Sequence, residues 1–415
     1  MNYNLKKTIH NFFVFSFRLT MISDKMWIEP NNNEEKITYE VAEPSPRMKQ
    51  ILEGINIPGV ANNSFEPPDW LDMDLFNQGR KFMEKNLFSV FISDLMGILS
   101  LLSVDRVMRP LLFTGKSDTK VKALKRYVST ILHVLTWFRG NVWDKDDPSH
   151  LDVKRIRNLH KSLGNSMNTT NKKEIDNISS IKCGYIPPEC PFHKVMNYDL
   201  RSRKNASLDL DMNAQNSLYI SQWDMAFTQY AFTGIIVTHP KQVGGWNIID
   251  DDLRAYIHFW RGIGWLLGIE DRFNFCNGSL EDVKSLCYEV ENTILIPQLA
   301  SSSWDYEHMS SCAIDGIAMM VPGFSFPSMQ RYIFFLLDID AQNIDKSFIL
   351  TQKIEFYFLR FLFEFVFRVP FMRSFFKSYM LFMLDLVTGK KSPWWWPKSW
   401  SPSVFVEPSF YKKQF

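Results

Sequence analysis

Apolar residues recur along this chain at helical spacing, and almost nowhere do they alternate strictly with polar residues over five or more positions. A recurrence of three to four residues buries one face of a helix, whereas a half-buried strand needs strict alternation. The segment KVKALKRYVSTILHVLTWFR shows one such stripe, made of Val121, Leu124, Val128, Ile131 and Leu135. The sequence therefore predicts an all-α fold in which strands are a minor element at most.

The composition allows a large core and argues against nucleic acid as a partner. The chain has 415 residues, 46% of them hydrophobic, which is enough for one or two domains. Its formal net charge of +2 leaves no long basic face for a phosphate backbone. Aromatic residues reach 15% of the chain, which is typical of a wide apolar interior or of a membrane-facing surface.

Changes in amino-acid composition and hydrophobic pattern along the chain predict three regions. Residues 1–68 form an N-terminal extension that we expect to be partly disordered, because residues 30–47 are polar and interrupted by prolines. Residues 69–335 form a helical domain. Residues 168–217 within it are rich in Asn, Ser, Lys and Asp, and predict a long surface excursion. Residues 336–415 form a C-terminal region of aromatic, basic helices.

The C-terminal region predicts peripheral contact with a membrane. From Lys353 to the end there are ten Lys/Arg and four Asp/Glu residues, a net charge of +6, among many aromatic side chains. Charges recur too often for a simple membrane span, but a basic, aromatic, amphipathic helix suits a membrane interface. The tryptophans of SPWWWPKSW are side chains of the kind found at headgroup level. The alternative is that these helices simply close the protein core.

Two short helical constellations are the candidate functional site: Arg126-x-x-x-Thr130 and Arg157-x-x-His160. On the second helix His160 points out of the middle of an apolar stripe, and Arg157 lies on its flank. That stripe consists of Val153, Ile156, Leu163 and Met167. A haem iron needs an axial nitrogen, an apolar pocket and a few polar groups on the far face, so His160 is the candidate metal ligand.

Each constellation also has a plain structural interpretation. A single imidazole in an apolar stripe is more often a satisfied core histidine, and Arg126 and Thr130, at i and i+4, also suit a solvated helix face. Other sequence motifs for metal binding or catalysis are absent from the chain. No histidine has a second His or a carboxylate at HxxxH or HExxH spacing, and there is no GxSxG elbow and no convincing Ser/His/Asp grouping.

The order of these motifs resembles one protein family. Arg-x-x-x-Thr is followed about thirty residues later by Arg-x-x-His, and then by a helix with the pattern His-Phe-Trp-Arg-x-x-Gly-x-x-x-Gly, which begins at His258. This order is similar to that of the family containing the bacterial rubber oxygenase (latex clearing protein) and the fungal ER-bound oxygenase mpaB. The resemblance covers roughly residues 75 to 330. The segments YIHFWRGIGWLLGIEDRFN and QWDMAFTQYAFTGIIVTHP resemble its animal members in particular.

The resemblance implies a globin-like helical bundle around a pocket for haem b, with the aromatic C-terminal helices as an addition. His160 would be the proximal ligand of the haem iron and Arg157 would help to hold the cofactor. Arg126 and Thr130 would lie on the distal or propionate side. This chain departs from the pattern at Ser129, where rubber oxygenase has a lysine that can ligate the iron. It departs again at Gly164, which replaces an arginine common in bacterial relatives.

These observations lead to two hypotheses of function. The first is an oxidoreductase: a haem-dependent oxygenase that uses O₂ to cleave a carbon–carbon double bond of an apolar, isoprenoid or lipid-like substrate. By the resemblance it would be membrane-associated, at the endoplasmic reticulum, with a cytoplasmic protein as the alternative. The second hypothesis is a non-catalytic, membrane-peripheral helical protein that keeps the fold and binds a lipid; the changes at Ser129 and Gly164 motivate it.

Overall fold

The structure of this chain, a computed structural model, describes residues 43–182, 192–206, 218–321 and 323–389. Across these ranges the regular structure is helical, and the one β-type contact is an isolated antiparallel bridge between Pro58 and Ser221. The all-α prediction is therefore confirmed. The start of the predicted N-terminal extension and the tryptophan cluster of the tail lie outside the described residues.

The helices fall into three groups along the chain. The first group is α1 (Pro46–Leu52), α2 (Met73–Lys85), α3 (Leu87–Leu101), α4 (Asp105–Phe113), α5 (Lys120–Arg139), α6 (Pro148–Thr169) and α7 (Lys172–Ile178). The second group is α8 (Phe192–Asp199), α9 (Gln222–Thr238), α10 (Asp250–Leu267), α11 (Leu280–Val290), α12 (Ile296–Leu299) and α13 (Trp304–Ala318). The third group is α14 (Phe326–Leu336), α15 (Gln342–Ser347), α16 (Leu350–Glu364) and α17 (Pro370–Val387).

Two closely packed helix pairs form the centre of the molecule: α3 with α9, and α2 with α10. Glycines permit the close approach in both pairs. A Cβ atom at Gly97 would lie 2.4 Å from the carbonyl oxygen of Ala231, and one at Gly79 would lie 2.3 Å from that of Ala255. Both obstacles are backbone atoms, which cannot rotate away as a flexible side chain can. Each pair therefore depends on a residue without a side chain at the crossing point.

Gly97→Ala should consequently destabilise the protein, although alanine has the higher helix propensity. Overpacking of a well-filled interior typically costs about 1–3 kcal/mol, more than the roughly 1 kcal/mol gained by replacing a helical glycine with alanine. Gly97→Leu should cost more than Gly97→Ala, because more atoms must be accommodated at the same crossing. Urea unfolding of the two variants beside the wild type measures the effect. An unchanged or higher stability for both variants would show that α3 and α9 can separate at little cost.

One continuous hydrophobic core joins the three predicted regions, from Met48 on α1 to Val387 on α17. The predicted surface excursion is wrong for its described part beyond residue 191, where α8 packs into this core. Phe192, Val195 and Met196 are buried at helical spacing, too short a run to stand out in so polar a segment. Within the described ranges no single helix has the length and apolarity needed to cross a bilayer.

Helices α5 and α6 carry the candidate site residues, and local signals in the sequence define both helices. Thr119 caps the start of α5, where its Oγ1 accepts a hydrogen bond from the backbone N–H of Lys122. Asp147 caps α6: its Oδ1 accepts from the N–H of Ser149 at 2.8 Å, and Pro148 occupies the first helical turn. Side-chain acceptors at these positions satisfy backbone donors that have no partner within the helix. The short connection between the helices makes them neighbours in space.

Candidate functional site

The pairing of α5 with α6 brings the two sequence constellations together. At one end of the interface the Nδ1 atom of His133 lies 2.8 Å from the Oδ2 atom of Asp152. Arg126 lies two helical turns before His133 on α5, and His160 lies just over two turns after Asp152 on α6. In an antiparallel pair these offsets place Arg126 next to His160. Electrostatic coupling between the two side chains agrees with this placement, because Arg126 lowers the pKa of His160.

His160 is a neutral imidazole that lacks a partner on one nitrogen. Burial, followed by the charge of Arg126, lowers the pKa of His160 to about 4, so the ring is neutral at physiological pH. Its Nδ1 atom is buried and has no hydrogen-bond partner among the described residues. The residue as a whole is partly exposed, on the helix that pairs with α5.

Arg126 is a partly buried cation without an acid as a neighbour among the described residues. Its Nη1 atom donates to the Oγ1 atom of Thr114 at 3.0 Å, and no salt bridge to Arg126 occurs within the described ranges. Burial lowers the pKa of the guanidinium, although not enough to discharge it. Removing a charge even in part from water is costly, and such a charge is ordinarily paired.

Arg157 has a different surrounding from the one that the sequence pattern suggests. Instead of lying on the flank of α6, its guanidinium is buried and donates to the carbonyl oxygens of Ala61, of Asn63 at 3.0 Å and of Leu266 at 3.4 Å. It also stacks on the ring of Phe65, 4.7 Å from the ring centroid. These partners come from the N-terminal extension and from α10, so only the tertiary structure could reveal them. Arg157 ties both segments to the helix that carries His160.

Thr130 faces a second space, an apolar cavity of about 80 Å³ between α3, α5, α13 and α17. Its Oγ1 atom donates to the backbone carbonyl of Arg126 at 3.1 Å. Two other polar groups face this cavity. The Oδ1 atom of Asp94 and the hydroxyl of Tyr127 are buried and have no hydrogen-bond partner in the described part of the chain. Burial raises the pKa of Asp94 well above its usual range, and it raises the pKa of Tyr127 to about 12.

The side chains at His160 and Arg126 are of the types that hold a haem. A neutral imidazole can be an axial ligand for iron, and an arginine without an acid suits a propionate. One usual feature is missing: a metal-ligating histidine ordinarily donates its second N–H to a carbonyl or carboxylate, and Nδ1 of His160 has no such acceptor among the described residues. The cavity beside Thr130 is far below the several hundred Å³ of a typical ligand pocket. That cavity is therefore too small for a macrocycle.

The structure also contains a Ser/His/Asp chain, so the expectation that no such grouping exists is wrong. The Oγ atom of Ser129 lies 3.3 Å from the Nε2 atom of His133, whose Nδ1 contacts Asp152. Asp152 also accepts hydrogen bonds from the indole of Trp137 at 2.9 Å and from Arg155 at 2.7 Å. Ser129 and His133 share a helix face, a signal visible in the sequence, whereas Asp152 joins them only through the pairing of α5 with α6.

This chain lacks the surroundings of a hydrolytic triad. Ser129 lies in the middle of α5, where the backbone N–H groups are bonded within the helix, so they do not form an oxyanion hole. Asp152 is shared among three donors, which suits a structural junction. We therefore assign the network to fixing the register of α5 against α6. That register in turn sets the position of Arg126 relative to His160.

No protein-family model matches this chain, and neither a curated protein nor a solved structure matches it. Within the described ranges, no group of three or more His, Cys, Asp or Glu residues is arranged to hold a metal ion. A single axial histidine would not form such a group, because the remaining ligands of a haem iron belong to the porphyrin.

The state of His160 predicts how stability depends on pH. Its pKa is about 4 in the folded protein and near 6.5 in the unfolded chain, so between these values the unfolded state binds more protons. Stability should therefore be complete above pH 6.5 and fall as the pH drops towards 4, by on the order of 2–3 kcal/mol from this group. His160→Gln, which cannot be protonated in this range, isolates the contribution. Urea unfolding of both proteins at pH 7 and pH 4.5 should show the smaller loss for the variant, whereas equal losses would contradict a buried neutral His160.

Proposed function

We propose that this chain is a haem-dependent oxygenase that acts on an apolar, isoprenoid or lipid-like substrate. The observation that carries the proposal is the pair formed by His160 and Arg126: a neutral imidazole whose buried Nδ1 atom has no hydrogen-bond partner among the described residues, beside a partly buried arginine without an acid. Proteins seldom leave such groups unsatisfied, and each exception calls for an explanation such as a ligand. The resemblance to the rubber oxygenase and mpaB family names a ligand that would satisfy both groups.

Each candidate residue would have a separate role in the proposed oxygenase. His160 would hold the iron, and Arg126 would pair with a carboxylate of the cofactor. Arg157 would act as a positioning residue, because it fastens the N-terminal extension and α10 to α6. Thr130 would border the substrate space beside the apolar cavity. The bound haem would supply the activation of O₂, and the aromatic interior would exclude water from the reaction.

The purified full-length protein tests the proposal directly. We expect a Soret absorption band and iron in near-stoichiometric amount, either as isolated or after addition of haemin. A colourless protein that takes up no added haemin would overturn the proposal. Activity on an isoprenoid substrate would be tested next, by consumption of O₂ together with the formation of carbonyl products.

The second candidate is a non-catalytic protein that binds a lipid. The apolar cavity favours it, because three polar groups, Asp94, Tyr127 and Thr130, are set in walls that are otherwise aliphatic, aromatic or methionine side chains. In this case Arg126 would receive the anionic head of an amphiphile, and the cavity would receive part of its chain. Organic extraction of the purified protein, followed by mass spectrometry, separates the two candidates. A stoichiometric acyl or isoprenoid acid in a protein without iron would support the second.

A further inference from the structure

The exposed apolar residues of the described ranges are concentrated in one segment of the chain, on its last two helices. Of the sixteen large hydrophobic residues that are exposed within the described ranges, eleven belong to residues 349–382. On α16 and just past its end they are Leu350, Ile354, Tyr357, Phe358, Phe361 and Phe365, and on α17 they are Phe371, Phe375 and Phe382. We call these nine side chains the aromatic face. Single exposed apolar residues are ordinary, but so many on two consecutive helices are typical of an interaction surface.

The spacing of these residues explains why one partner can cover them together. On α16 they recur at intervals of three and four residues, so they form one stripe along the helix. The opposite side of α16 carries Phe356, Leu359 and Phe363, which are buried in the core. The helix is thus apolar on both sides. One side packs against the core, so the exposed side is available for a partner outside the described residues.

The charges at the edge of the aromatic face select the partner. The exposed charged residues from 350 to 389 are Lys353 and Arg368, both cations. The acids of this segment are less exposed, and two of them are engaged: Glu364 accepts from Arg360 at 2.9 Å, and Glu355 accepts from the hydroxyl of Ser325 at 2.5 Å. A two-fold contact between copies would place the cations of both chains around one apolar interface. An anionic membrane surface would attract them instead.

We propose that the aromatic face lies in the headgroup region of an anionic membrane, with α16 and α17 parallel to the bilayer surface. This inference rests in part on the proposed function, because a membrane is where an apolar substrate collects. The position of α17 agrees with that role. Phe371, Phe375 and Phe382 face outwards, whereas Met380 and Leu384 line the apolar cavity. One helix therefore separates the docking surface from the interior space.

Co-sedimentation of the full-length protein with lipid vesicles tests the proposal. We expect binding to phosphatidylcholine vesicles that contain 30% phosphatidylserine, and at least tenfold weaker binding by the double variant Tyr357→Asp/Phe361→Asp. The matched control is Leu151→Asp/Leu159→Asp. These two leucines of α6 are 58% and 56% exposed, comparable with the 63% and 55% of Tyr357 and Phe361, but they lie away from the aromatic face. The control should bind as the wild type does, and circular dichroism should show that all variants are folded.

A second variant pair tests the role of the charges. Lys353→Glu/Arg368→Glu should weaken binding to the anionic vesicles by more than tenfold, because one cation near such a surface contributes about fivefold. Binding to pure phosphatidylcholine vesicles should change little. Three outcomes would overturn the proposal: unchanged vesicle binding by the Tyr357/Phe361 variant, a wild-type dimer that this variant dissociates, or binding that appears only after deletion of residues 390–415. The Soret band is measured without lipid, so a failure of docking is distinguishable from a failure of haem binding.

Discussion

His160→Ala is expected, under the haem proposal, to give a folded protein that binds no iron and shows no Soret band. The reason is that His160, which the α5–α6 pairing places beside Arg126, would be the axial ligand in that proposal, whereas Arg126 is unchanged in the variant. The fold should survive, because Nδ1 of His160 has no hydrogen-bond partner within the described ranges and the residue is partly exposed. Absorption spectroscopy with iron analysis measures the loss, and circular dichroism confirms the fold.

The control for this prediction lies on the same helix. Lys161 is exposed on α6, so Lys161→Ala truncates a neighbouring side chain outside the candidate site, and its Soret band should equal that of the wild type. Imidazole added to His160→Ala should restore part of the band, because a free ligand can enter the space that the missing ring leaves. The opposite outcome is that the wild type binds haem and His160→Ala binds the same amount. It would show that another residue holds the iron.

The largest effect on stability is expected from Arg106→Leu. Arg106 and Asp224 form a buried ion pair with two hydrogen bonds: Nε donates to Oδ1 at 2.5 Å and Nη2 donates to Oδ2 at 3.0 Å. Arg106 also donates to the carbonyl of Leu218, and Asp224 belongs to the capping box that begins α9. Removing the arginine leaves a buried carboxylate uncompensated, which typically costs about 3–5 kcal/mol. The free energy of unfolding in urea measures this cost.

Arg109→Leu is the matched control, one turn further along α4. Arg109 is less buried than Arg106, and its ion pairs with Asp105 and Asp176 are open to solvent; such pairs contribute about 0–1 kcal/mol. Adding Asp224→Asn to Arg106→Leu should recover part of the lost stability, because the amide keeps an acceptor for the helix cap and carries no charge. Equal losses for Arg106→Leu and Arg109→Leu would show that the buried pair contributes no more than the exposed one.

Much of the helical architecture could be predicted from local patterns. The stripe on α5 is largely confirmed: Leu124, Val128 and Leu135 are buried, and Ile131 is partly buried. On α6 the same holds for Val153 and Met167. These positions follow from helical periodicity, which acts within a few turns. Residues 192–206 were the harder case, because α8 contributes only a short apolar run to the core and is surrounded by polar residues.

Sequence patterns could select the candidate residues, but they could not give the contacts of those residues. Helical spacing marks Arg126, Thr130 and His160, yet the burial of Arg157 depends on Ala61 and Leu266, which lie about a hundred residues away in either direction. The Ser129–His133–Asp152 chain likewise needs the register of two helices. Side-chain partners from distant segments leave no periodic trace in a sequence.

The sequence by itself determined that this protein is helical, that its C-terminal helices are aromatic and basic, and which helices carry Arg126 and His160 beside apolar stripes. Only the tertiary structure decided that His160 and Arg126 are neighbours, that Arg157 is bound to backbone carbonyls, and that the aromatic face remains open. The physical reason is how far apart in the sequence the interacting residues lie. Helix formation and capping act within a few residues, whereas desolvation and hydrogen-bond pairing depend on segments that only folding brings together.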